Sequence, residues 1–365
     1  MIRPETLERL ERTIASAAAL GRKLELRGGG SKAELGAPRD VEVIDMTGFS
    51  GIQDYDPAEL VLTCGAGTPL RELEAAVAER GQMLAFEPFD QGPMFGRKEG
   101  AATIGGVLAA GVSGSRRLSR GPARDHLLGF KAVSGRGEAF AGGGKVVKNV
   151  TGYDLCKLMA GSWGRLAAMT EVSLKVLPRP QVVRSLAVEG LAPEAAVRLM
   201  SRAMGSPADL AAAAHAQGLT VLRVEGFAPS VKAREALIRD RAQAKAMTAK
   251  AADQFWASLR NPLPDSEVLW RISVPAREAP SVLEAIGGQW RMDWAGGLIW
   301  SDSDDPVRVR RAAEAAGGHA TLVRAPEAMR ARVPALHRLA PGVKALEERV
   351  RRAFDPAGVF ETGRF

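Results

Sequence analysis

A chain of 365 residues, 46% hydrophobic and 25% charged, has the balance of a globular protein with room for two domains. Its two cysteines are too few for an iron–sulfur cluster, which takes about four, and too few for a disulfide framework. The formal net charge of +8 is divided among residues 116–124, 329–338 and 349–352, and two tyrosines offer little base-stacking surface, so the composition argues against nucleic acid.

Residues 4–20 alternate charge and apolar bulk at helical spacing, an amphipathic helix rather than a signal peptide. Residues 23–27 read as a short strand running into Gly28-Gly29-Gly30, and residues 41–46 as a second. A third, over 60–64, ends at Gly65-Ala66-Gly67. Thr68 then reads as the cap of a helix over 69–80, with Pro69 in its first turn and Gly81 as its stop. A loop over 86–100 leads to an apolar helix over 102–110. Residues 126–133 and 138–141 form a hairpin, 153–160 a short helix, and 167–177 a strand. Pro178 and Pro180 mark a domain boundary.

Beyond residue 180 the texture changes, with five of the six tryptophans and few glycine clusters. Strands over 182–188, 219–226, 267–274, 297–300 and 320–323 alternate with helices over 193–204, 230–249, 278–288 and 306–316, an α+β arrangement with a largely antiparallel sheet. A charged helix and a turn-rich tail close the chain. The uncharged stretch from Ala101 to Ser115 is too short to span a bilayer. The expectation is a soluble cytoplasmic protein without a transmembrane segment, able to associate with the inner face of the membrane.

Gly28 to Ala33 matches a dinucleotide fingerprint, with Asp45 at the end of the following strand. A Rossmann crossover needs a helix of roughly 10–12 residues. Only Glu34 to Asp40 remain, and they include Gly36 and Pro38. The segment is therefore either a phosphate-gripping turn, with Ser31 adding a hydroxyl and Lys32 and Arg27 adding charge, or a plain connection. Gly142-Gly143-Gly144-Lys145 lacks the Ser or Thr of a P-loop and reads as a turn. Gly65 to Thr68 form a second strand-to-helix glycine turn, whose free amides favour a pyrophosphate. Thr103-Ile104-Gly105-Gly106, with Ser113-Gly114 beyond, makes a third cluster. Three such turns in succession suggest a backbone that holds a ligand.

The run Lys148-Asn149-Val150-Thr151-Gly152-Tyr153-Asp154-Leu155, followed by Lys157-Leu158-Met159, Gly161-Ser162-Trp163-Gly164 and Met169-Thr170-Glu171-Val172, resembles the flavin domain of the vanillyl-alcohol oxidase and p-cresol methylhydroxylase superfamily. Within it, Gly30-Ser31-Lys32, Ala66 to Leu70, Gly81 to Leu84, Val172 to Pro180 and the tail Phe354 to Phe360 are similar to the FAD-binding subunits of bacterial glycolate oxidases. The tail departs from that pattern at Glu361-Thr362.

The resemblance implies an α+β fold with a two-subdomain flavin domain over residues 1–178, a cap with a mainly antiparallel sheet over 179–335, and a segment over 336–365 that returns to the flavin domain. It implies non-covalent FAD. Arg27, Gly28, Gly29, Gly30, Ser31 and Lys32 would grip the pyrophosphate. Gly65, Ala66, Gly67, Thr68 and Pro69, with Thr103, Ile104, Gly105, Gly106, Ser113 and Gly114, would wrap the rest. Ala168 and Met169 would meet the adenine end through their backbone.

Oxidation of a 2-hydroxy acid needs a base and a cation for the carboxylate. Catalytic relatives carry a histidine-rich motif in the cap, whereas His126, His215, His319 and His337 stand far apart in this sequence and make no local metal site. No catalytic residue is assigned. The resemblance implies a flavin subunit of a glycolate oxidase or dehydrogenase complex, working with a catalytic flavoprotein and an iron–sulfur subunit on a small 2-hydroxy acid. The alternatives are a stand-alone 2-hydroxy-acid dehydrogenase and a flavin-free structural subunit.

Overall fold

The computed structural model describes residues 1–145 and 152–365, so Lys148 to Thr151 of the motif above lie outside the described residues. The first helix, Leu7–Ala19, starts at Thr6, whose side chain accepts from the Arg9 amide at 3.3 Å. Its i, i+4, i+7 stripe of Leu10, Ile14 and Ala17 is buried. That stripe packs on Leu24, Ile44, Val359 and Phe360, so the end of the chain completes the core begun at its start. Leu24–Arg27 and Glu42–Asp45 pair in parallel with only turns between them, and no crossover helix occurs among the described residues.

A five-stranded antiparallel sheet forms the body of the first half, in the order Ile52–Asp56, Val61–Gly65, Ala167–Lys175, Leu127–Ser134, Ala139–Gly143. Its core joins Leu62, Leu73, Phe86, Ile104, Leu108 and Val172. The expected Thr68 cap requires correction. Helix Leu70–Glu79 is entered through Pro69 with no side-chain cap. The Thr68 hydroxyl instead donates to the Gly65 carbonyl at 2.6 Å and accepts from the Gly51 amide at 2.9 Å. It pins the glycine turn rather than the helix.

The second half builds an eight-stranded antiparallel sheet in the order Lys245–Ala246, Val182–Glu189, Leu219–Gly226, Ala212–Ala216, Trp290–Asp293, Leu298–Ser301, Leu269–Ser273, His319–Arg324. Strand alternation sorts its two faces. Trp270, Ile272, Ile299, Ala320 and Leu322 pack under the helices Pro193–Met204, Ala279–Ile286 and Pro306–Ala315. Leu269, Leu298, Trp300 and Val323 point the other way and join the core of the first half. The expected helix over 230–249 is shorter, Ala228–Ala242, because Gln243 takes a left-handed φ of +53°. A separate helix, Ala249–Ser258, follows from its Thr248 cap. Among the described residues no helix is long and apolar enough to cross a membrane.

Polar groups lock the seam between the two halves. The Ser115 hydroxyl donates to Asp293 Oδ2 at 2.7 Å, and Trp294 Nε1 donates to the Gly114 carbonyl at 3.0 Å. Asp293 is 3% exposed, and burial pushes its carboxyl up to about 6 although it accepts from Ser115 and, through Oδ1, from the Trp294 amide at 2.7 Å. A carboxyl whose folded value exceeds its unfolded one costs stability once pH rises above the unfolded value, and the cost grows until the folded value is passed. Asp293→Asn is therefore expected to raise stability at pH 7 by about 3 kcal/mol and to have no effect below about pH 4. Denaturant unfolding at both pH values checks this; a variant less stable at pH 7 would refute it.

Candidate functional site

Between the two small strands and the five-stranded sheet lies a cavity lined by Arg27, Gly28, Gly29, Gly30, Ser31, Lys32, Ala66, Thr103, Gly105, Gly106, Ala168 and Met169. The structure thus brings together twelve of the nineteen residues expected in the site. Its floor is a backbone turn. The Ala33 and Leu35 amides close back on the Gly30 and Lys32 carbonyls, while the amides of Gly29, Gly30, Ser31 and Lys32 donate to no described protein group. Four successive undonated amides form a concave anion site. Lys32 is 9% exposed and donates to Ser31 Oγ at 3.1 Å. Burial pulls its ammonium down to about 8; Asp90 opposes that shift and Arg364 adds to it.

Two of the glycines serve close packing. A Cβ on Gly29 would sit 1.6 Å from the Ala101 carbonyl oxygen, and one on Gly28 would sit 2.1 Å from Thr103 Oγ1. The loop can lie against residues 101–103 only because these side chains are missing. Asp90 holds the far side of the contact by accepting from the Gly100 and Ala102 amides at 2.8 and 3.1 Å.

The other expected residues stand behind or beside this wall. Gly65 and Gly67 back onto the main chain of Phe49 and Met46, Ile104 is a core residue, and Thr68 and Pro69 belong to the pinned turn. Gly65 to Pro69 therefore do not present free amides to the cavity; Ala66 alone reaches it. Ser113 and Gly114 face the seam, where the Ser113 hydroxyl accepts from the Ala123 amide at 2.9 Å. Arg27 lines the cavity, but its guanidinium is held by Glu25 at 3.0 Å. Burial would raise Glu25, yet Arg39, hydrogen-bonded at 2.5 Å, brings it below the usual carboxylate range.

Arg364 is a wall residue that sequence reasoning leaves out. The returning tail carries it to the glycine turn, where its guanidinium donates to the Leu35 carbonyl at 2.9 Å and the Lys32 carbonyl at 2.5 Å. Burial lowers it to about 10, with Arg39 adding to the shift. A lone arginine beside the C-terminus carries no spacing signal. Long-range contacts bring it here: Val359 and Phe360 in the first core, the Leu24 amide on the Val359 carbonyl, and the Ala37 amide on the Arg364 carbonyl.

Ala110 and Trp163 also line a second, larger cleft of about 950 Å³ between the two halves, within the usual range for small-molecule sites. Its other walls include Ser113, Arg271, Trp300, His319, Thr321 and His337. The cradle and the larger cleft thus adjoin at Ala110 and Trp163. A diphosphate-bearing cofactor fits the amide turn, and the two histidines that are far apart in sequence meet in the cleft.

A family described as FAD binding domain matches residues 1–142. The glycolate oxidase subunit GlcE of Escherichia coli K12 is 37% identical over 348 residues, covering 93% of this chain and 92% of that protein. A D-lactate dehydrogenase of Archaeoglobus fulgidus is 30% identical over 52% of this chain, and this chain spans 41% of it. In fold, the chain superimposes on an alkyldihydroxyacetonephosphate synthase with a TM-score of 0.70 at 16% identity, over 99% of this chain and 76% of that one.

Proposed function

The chain belongs to the FAD-binding family of glycolate oxidase subunit GlcE, and from that premise we propose that it is the flavin-holding subunit of a complex that oxidises glycolate to glyoxylate. The observation that carries this reading is the turn of undonated amides over Gly29 to Lys32, backed by the Lys32 ammonium. FAD bound there would accept the two electrons and pass them on. Residues 1–178 are the flavin domain, 179–335 the cap, and 336–365 the returning segment, with Arg364 as its contribution to the cofactor wall.

Neither cysteine is suited to a covalent link with the cofactor. Cys64 and Cys156 are buried, and burial raises both thiols, to about 12 and about 11, so neither offers a thiolate. The four free amides and the Lys32 ammonium would hold a diphosphate, and Ala168 and Met169, at the start of Ala167–Lys175 on the same cavity wall, would meet the adenine end through their backbone. A catalytic flavoprotein would be the partner, with an iron–sulfur subunit as electron acceptor and the inner face of the membrane as the place of assembly.

Purified chain is expected to be yellow, with the two visible flavin bands, and to release FAD quantitatively on acid denaturation. A colourless protein that stays colourless after FAD is added would remove this reading in favour of a structural subunit.

A further inference from the structure

Arginines hold the stretch that follows the cofactor turn. Residues 32–37 lie in no helix or strand, so no ladder satisfies their carbonyls. Three guanidinium groups do so instead. Arg364 donates to the Lys32 and Leu35 carbonyls at 2.5 and 2.9 Å, Arg39 to the Ala33 and Ala37 carbonyls at 3.2 and 3.1 Å, and Arg330 to the Glu34 and Gly36 carbonyls at 2.8 and 3.1 Å. Six successive carbonyls are thus held by side chains from three separate parts of the chain. Hydrogen bonds from a charged donor are stronger than neutral ones, and a planar guanidinium adds direction. The undonated amides of Gly29 to Lys32 lead straight into this stretch, with Lys32 common to both.

Arg330 differs from the other two. Arg39 is a neighbour in sequence and is fixed by Glu25 at 2.5 Å, and Arg364 is itself on the cavity wall. Arg330 closes the short helix Glu327–Arg330 of the second half and does not line the cavity. The described hydrogen bonds of its guanidinium all go to main-chain carbonyls, the third being that of Ala325 at 3.1 Å. Arg324, at the end of the edge strand that precedes this helix, donates to the Leu263 and Ser266 carbonyls of the second half and reaches the Met94 carbonyl of the first. Met94 belongs to the loop in which Asp90 holds the Gly100 and Ala102 amides. One edge of the second half therefore grips the continuation of the glycine turn through Arg330 and the loop behind it through Arg324. A guanidinium given to carbonyls rather than to a carboxylate also keeps its charge, which favours an anion on the turn.

We infer that Arg330 is a positioning residue for the cofactor turn, and that through it cofactor binding is coupled to the seating of the second half of the chain on the first. The inference rests on the flavin reading above and adds to it, because a side chain from outside residues 1–178 sets where the binding amides stand. A diphosphate that fixes the turn fixes the Glu34 and Gly36 carbonyls with it, and these hold Arg330. By linkage, the second half is then held more firmly in the loaded protein, by the same factor that Arg330 adds to cofactor affinity.

ADP, which carries a diphosphate without the flavin, is the probe beside FAD, and each is titrated by calorimetry into the whole chain freed of flavin. In Arg330→Met both affinities are expected to fall by the same factor, about tenfold for the loss of two charge-assisted hydrogen bonds. The phosphorus NMR signals of bound ADP move as well, and Arg330→Lys recovers part of the affinity. Arg332→Met, at an exposed arginine of the same corner that bonds to the Ala328 carbonyl, changes neither. The phosphorus signals separate positioning from general loosening, since a variant that is merely less stable holds ADP in the wild-type geometry once saturated. Undiminished affinity in Arg330→Met, or a loss with unmoved phosphorus signals, overturns the inference and leaves the flavin reading standing. If Arg330→Met does not fold, hydrogen exchange on the wild type decides: ADP is expected to slow exchange of the amides over residues 327–333, and unaltered exchange there overturns the inference. A wild-type chain that binds neither ligand removes the flavin reading, and this inference with it.

Discussion

Gly29→Ala is expected to purify with little or no FAD while both sheets remain folded. The new Cβ would lie 1.6 Å from the Ala101 carbonyl oxygen and 2.7 Å from its carbon. No flexible side chain is available to move aside, because the obstacle is main chain that Asp90 fixes through the Gly100 and Ala102 amides. The loop must retreat, and the four amides retreat with it. Overpacking of this kind costs about 1–3 kcal/mol, which as a loss of binding is roughly 5- to 150-fold in FAD affinity. Gly29 is itself exposed, so the strain falls on loop position rather than on the core, and the melting temperature should move little. Gly144→Ala is the control, since nothing lies within 4 Å of its Cβ position. Flavin content after gel filtration, with circular dichroism for the fold, checks the pair. Full FAD loading in Gly29→Ala would show that the turn does not contact the cofactor.

How far the sequence reveals this site depends on the range of the signals involved. The strands and helices of the first half, and the glycine turn itself, carry local signals: alternation, glycine and proline stops, and a connection too short for a crossover helix. The family resemblance adds the cofactor. The strand Ala212–Ala216 is missed because it is alanine with a single histidine, a composition with low strand preference that becomes a strand only when paired on both sides. Gly65 and Gly67 look like cofactor glycines and turn out to accommodate Phe49 and Met46, a contact between segments that no local pattern contains. Arg364 is invisible for the same reason. It gains its place from the return of the chain, over a separation of hundreds of residues. Histidines judged one at a time give no metal motif, yet two of them line one cleft.

The other large effect is expected at Glu87, which holds the two halves together. Its carboxylate takes Arg223 end-on through two hydrogen bonds of 3.1 and 3.0 Å, accepts from the Arg116 amide at 3.0 Å, and has Arg116 and Arg260 guanidinium groups at 3.4 and 3.6 Å. Arg223 and Arg116 in turn reach Glu225, which is buried beside them. Burial alone would raise Glu87; Arg223 and Arg116 outweigh it and hold the carboxyl down to about 2. A depressed carboxyl contributes stability that is present above its unfolded value, near 4.3, and is lost as pH falls through the folded value. Wild type should therefore lose about 3 kcal/mol between roughly pH 4.5 and pH 2 through this group. Glu87→Gln removes the charge and leaves two guanidinium groups buried around an amide, a change that costs about 3–5 kcal/mol at pH 7. The variant should melt on the order of 10 °C lower at neutral pH and lack this component of the acid transition. Glutamine keeps the shape, so the loss reports charge rather than a cavity. The cost at pH 7 and the flattened acid limb must appear together: a variant as stable as wild type at pH 7, or equally acid-sensitive, would show that the seam is held by its apolar contacts around Trp294 and Trp300 and that the ion cluster only fills the space between them.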